Sequence, residues 1–71
     1  MKFEMFTEVK LNQDISESNL AKNTLGIIVD YLPRETKEDG YVLEILDKNN
    51  NGYDVIVVTE SQISISEMIV V

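Results

Sequence analysis

Asp47-x-Asn49-x-Asn51-Gly52 sets oxygen-bearing side chains at alternate positions and a glycine at the sixth, as in the first half of a calcium-binding loop. The twelfth position of such a loop needs a bidentate glutamate, and here it is Val58. The flanks read as strands rather than helices. One carboxylate holds calcium weakly, so the segment is expected to be a hairpin tip rich in turn formers, without a metal. A second cluster, Glu35, Glu38 and Asp39, lies beside Arg34 and Lys37. Clustered carboxylates do acid–base chemistry only where burial or a pocket shifts their pKa. In a short polar loop they read as solvated charge, or as an acidic lure for a basic partner.

Hydroxyls are plentiful in the second half of the chain: Thr36, Tyr41, Tyr53, Thr59, Ser61, Ser64 and Ser66. A serine nucleophile needs a base. The chain has no histidine and no Ser-x-x-Lys arrangement, so nothing here is expected to be catalytic. No cofactor is expected either. Phe6, Tyr31, Tyr41 and Tyr53 could line an aromatic patch that grips a peptide, although half-buried strand residues with hydroxyls at the rim are the plainer reading.

The elements that must carry these residues are short strands. With 71 residues there is room for one domain, taken as residues 1–71. A domain of this size buries about 60% of the surface its unfolded chain exposes, so its core is thin. With no cysteine there is no disulfide to brace it. β-Branched and aromatic runs fall at residues 6–11, 25–32, 41–46, 53–59 and 63–71. Val9 and Leu11 share a face of the first run, and Tyr41, Leu43 and Ile45 share a face of the third. The second run is apolar on both faces, which leaves its inward residues undecided. Ile15 and Leu20 are the large apolar residues of the polar stretch 12–23 and should tack it to the core. Residues 17–25 could form a short helix capped by Ser16 or Ser18, but Asn23, Thr24 and Gly26 oppose it, so loop is the plainer reading. Asn51-Gly52 marks a hairpin between the third and fourth strands. Together these signals predict an all-β fold, an SH3-like barrel of about five antiparallel strands.

The last run ends strangely. Ile63 and Ile65 alternate with Ser64 and Ser66, Glu67 breaks the phase, and Met68-Ile69-Val70-Val71 is apolar on both faces. The plain expectation is that this run pairs with the first strand and closes the barrel. The alternative is an edge that recruits another strand, with Ile69, Val70 and Val71 supporting a weak homodimer or a partner contact.

Charge narrows the partners. Six basic residues face thirteen acidic ones, a net charge of −7. Scattered lysines do not make a phosphate-binding patch, so nucleic acid and anionic membrane are disfavoured and a basic protein partner is favoured. The start, Met1-Lys2-Phe3-Glu4, has no apolar signal segment, and no run approaches membrane-spanning length. A cytoplasmic protein is expected.

Phe6-Thr7-Glu8-Val9-Lys10-Leu11, Asp14-Ile15, Leu20, Gly26-Ile27-Ile28-Val29, Gly40-Tyr41, Val57-Val58-Thr59 and Gln62-Ile63 also follow a familiar order. The pattern resembles a small bacterial domain-of-unknown-function family whose members look like SH3-type barrels. Its pattern runs aromatic-x-acid-Val-x-Leu, then Gly-Thr-Val-Val, then Tyr-x-Val-x-Phe, then Val-Thr-Leu. This chain departs from it at Asn23, where the family has glycine, at Ile27, where it has threonine, and at Glu60, where it has leucine. The resemblance implies a barrel and no activity. The expectation is thus a non-catalytic protein-interaction domain with a groove between the stretches 12–23 and 33–40. An acidic, immunity- or antitoxin-like protein that masks a basic partner is the alternative, and a structural accessory subunit a third.

Overall fold

In this computed structural model residues 2–46 and 55–66 are described. The Asp47–Gly52 turn with its calcium-loop resemblance, Tyr53, and the tail residues Glu67, Met68, Ile69, Val70 and Val71 lie outside them.

Alternation builds the sheet. In β1 (Glu8–Leu11), Val9 and Leu11 are fully buried while Lys10 between them is exposed. In β3 (Gly40–Ile45), Tyr41 and Leu43 are buried and Ile45 packs against them, as the shared face predicts. In β4 (Val55–Thr59), Ile56 and Val58 point inward and Val55 and Val57 outward. β5 (Ile63–Ile65) contributes Ile63 to the core. β2 (Leu25–Leu32) carries a bulge between Ile28 and Asp30, which resets its phase. Ile28 and Tyr31, three positions apart, therefore both pack on the core. The sequence left the faces of this strand open because it is apolar on both, and an extra residue in one strand does not announce itself by composition.

The five strands form one antiparallel sheet in the order β4-β3-β2-β1-β5. Its outermost strands, β4 and β5, are consecutive in the chain and joined by a single 3-10 turn, Glu60–Gln62. In a flat sheet, four strand spacings would hold these edges about 19 Å apart. A three-residue 3-10 turn advances only about 6 Å. The sheet must therefore coil until its two edges approach at this corner.

Closure stops there. The expected fully closed barrel is not what the pairing shows: β4 and β5 end the strand order and are not paired with each other. The 3-10 turn redirects the chain, with the Thr59 amide donating to Gln62 Oε1 at 2.9 Å. β5 then uses its pairing on β1, where Leu11 faces Ile63 and Val9 faces Ile65. The start of the last run thus pairs with the first strand through β5, while the apolar tail on which the expectation turned lies outside the described residues.

Ile15 and Leu20 do tack the long loop to the core. Each is 5% exposed, and they form a bridge that closes the loop on itself. Between them Ser16–Ser18 makes one 3-10 turn, which Asn19 ends at φ 55°. Phe3 joins the core although the strand pattern did not require it, its ring 5.4 Å from that of Tyr41.

Candidate functional site

The acidic tip of residues 33–40 does two jobs. Asp39 accepts the Tyr31 hydroxyl at 2.5 Å on one carboxylate oxygen and the Arg34 amide at 3.1 Å on the other. These bonds hold the Asp39 carboxyl below its ordinary range, the tyrosine contributing most. The same bond, with some desolvation, pushes the Tyr31 phenol up to about 12. Glu38 accepts from the Ser61 amide at 2.6 Å and the Ser61 hydroxyl at 3.1 Å, which lowers its pKa, the backbone bond first. Glu38 and Asp39 therefore fasten their own loop to β2 and to the corner turn. Glu35 remains exposed at the tip.

The aromatic patch divides in the same way. Tyr41 is 0% exposed. Its ring packs against Phe3 and Tyr31, and its hydroxyl accepts the Lys2 and Phe3 amides at 3.0 and 3.1 Å. As a partner-contacting residue Tyr41 must be withdrawn, because it lies inside the core on the inward face of β3. Tyr31 is half-buried with its hydroxyl engaged. Phe6 is 73% exposed and sits before β1 at φ 63°. The remaining candidates, Ile69, Val70 and Val71, fall outside the described residues.

The expected groove between stretches 12–23 and 33–40 is occupied by the corner turn. Ser61 meets Glu38 on one side and, through its carbonyl, the Asn12 amide nitrogen at 3.1 Å on the other. Asn12 also accepts the Ser64 hydroxyl at 2.6 Å, and the Asn12 amide donates to the Gln62 carbonyl at 2.7 Å. One hollow of about 300 Å³ is open and lined within the long loop by Asp14, Ser16, Asn19, Leu20 and Ala21. Asp14 is already used there as acceptor for the Lys22 amide at 2.8 Å. Among the described residues no three histidine, cysteine or acidic side chains gather as metal ligands. No helix among them is long and apolar enough to cross a membrane.

What the sequence reading missed is the outer face of the sheet. The register sets Ile27, Glu44 and Val55 side by side across β2, β3 and β4, and Asp30, Val42 and Val57 beside them. Val55 and Val57 are 53% and 55% exposed. A signal for it was present: Val55-Ile56-Val57-Val58 has no polar face. A strand of that composition in a single layer must leave one apolar face in water unless something covers it. No family model, no curated protein and no solved structure matches the chain.

Proposed function

We propose that the chain is a non-catalytic protein-interaction module built on an SH3-like barrel. The strand order and the one-turn link between the two edge strands together support the barrel, since edges joined by so short a link require a strongly coiled five-stranded sheet. The observation that carries the interaction reading is Val55 and Val57, each more than half exposed on the edge strand β4. Adjacent apolar side chains on an unpaired edge attract protein surface. By contrast, Asn12, Asp14, Glu38 and Asp39 of the loops are engaged in bonds that hold the loops down.

The test is a photoreactive residue at position 57 of the full chain, compared with one at position 22 on the exposed long loop. Adducts with protein should form from position 57 and not from position 22. Equal labelling from both positions, or none from either, overturns the reading. A second reading, a masking protein for a basic target, is favoured by the net charge of −7. It differs in requiring that binding weaken steeply with salt over a broad acidic surface, whereas an apolar contact survives salt.

A further inference from the structure

We propose that the outer face of β2, β3 and β4 seats an amphipathic, lysine- or arginine-bearing helix of a partner protein. This rests on the interaction reading and names its partner. Two rows of side chains cross the face: Ile27, Glu44 and Val55 in one, Asp30, Val42 and Val57 in the other. Each row holds two apolar side chains and one carboxylate. The carboxylates are exposed, and the three strands contribute no cation to balance them. From β2 to β4 is two strand spacings, about 10 Å, which matches the width of one helix with its side chains, about 10–12 Å. A helix laid there places an apolar stripe on Val42, Val55 and Val57, and basic residues at its flanks reach Asp30 and Glu44.

Charge decides between occupants. A second copy brings Asp30 and Glu44 against the same carboxylates of its mate, in a chain whose net charge is already −7. Nucleic acid and anionic lipid are repelled for the same reason. A basic amphipathic segment answers both the apolar and the acidic half of the face.

The experiment titrates the full chain, isotopically labelled, with a synthetic amphipathic leucine–lysine helix and with a scrambled peptide of the same composition. Amide shifts should concentrate at Val42, Glu44, Val55 and Val57, and the scrambled peptide should bind about tenfold more weakly. Val57→Lys and Glu44→Lys should each weaken the helix by about tenfold, equivalent to about 1.4 kcal/mol. Glu35→Lys, the same charge change at the loop tip, should alter it less than twofold. Shifts centred elsewhere, or Glu35→Lys as damaging as Glu44→Lys, overturn the assignment of the face and leave the interaction reading standing. A dimer in sedimentation equilibrium that Val57→Lys dissociates also overturns it, by giving the face to a second copy. Absence of any protein adduct at position 57, by contrast, removes the interaction reading itself.

Discussion

Phe6 is the residue whose backbone and side chain disagree most with ordinary preference. It lies at φ 63° in a turn where the Thr7 amide donates to the Glu4 carbonyl at 3.3 Å, and its ring is 73% exposed. A left-handed position costs a side-chain-bearing residue roughly 1–2 kcal/mol, and glycine does not incur that cost. Glycine's greater unfolded-state entropy returns roughly 0.5–1 kcal/mol of the gain. Phe6→Gly should therefore raise the urea midpoint, with a net gain of up to about 1.5 kcal/mol. A lowered midpoint would show that the ring contributes burial which outweighs the strain. By its aromatic character Phe6 reads as the start of the first strand, because φ is not visible in composition. The Tyr31–Asp39 bond is the other residue-scale feature, and the sequence showed its two ends but not their meeting. A tyrosine pKa raised from 10.0 to about 12 means stability that is complete below pH 10.0 and is lost as pH climbs through about 12. Seen from Asp39, whose pKa is lowered, the same bond contributes above the ordinary carboxylate range and fades as pH falls through the lowered value. Asp39→Asn should move the single phenolate absorbance step left in a Tyr41→Phe, Tyr53→Phe background from about 12 toward 10.0. An unmoved step would show that the Asp39 carboxylate does not set it.

At the scale of elements, strand positions were legible and strand faces were not always so. Residues 25–32 coincide with β2, and Ile15, Leu20, Val9, Leu11, Tyr41 and Leu43 are buried as their spacing implied. The bulge at Ile28 and Asp30 was illegible because one unpaired residue changes the phase without changing the composition. Gly26 shows a tighter constraint. It is buried opposite Val9 and Ile45 in the register, and a Cβ there would meet the Glu44 carbonyl oxygen at 3.1 Å and Leu43 Cβ at 3.4 Å. The first of these neighbours is backbone in the adjacent strand and cannot swing away. Gly26→Val should destabilise by about 1–3 kcal/mol in urea unfolding, because two further methyl groups must fit between paired strands. Gly26→Ala should cost less than Gly26→Val. Equal effects would place the cost in the contact of the Cβ itself with the Glu44 carbonyl rather than in the fit of the added methyl groups.

For the whole molecule, the coil of the sheet and the distribution of charge act together. The corner turn Glu60–Gln62 joins two edges that a flat sheet would keep far apart, and Glu38 and Asn12 bond to Ser61 from either side of it. Coiling brings acidic strands and loops of a chain with net charge −7 into a smaller volume than the unfolded chain occupies. The folded state therefore carries more self-repulsion than the unfolded one. Added sodium chloride shortens the screening length to about 8 Å at about 0.15 M ionic strength, well within the span of so small a domain. The thermal midpoint should rise by several degrees between low salt and that ionic strength, since about 1 kcal/mol moves a domain of this size by about 4–8 °C. Neutralising an exposed tip charge with Glu35→Gln should reduce the rise, because the repulsion it screens is smaller. A midpoint that falls with salt would mean that attractive charge pairs outweigh the excess of carboxylates, and the acidic surface would then have to be read as bonded to itself rather than offered to a basic partner.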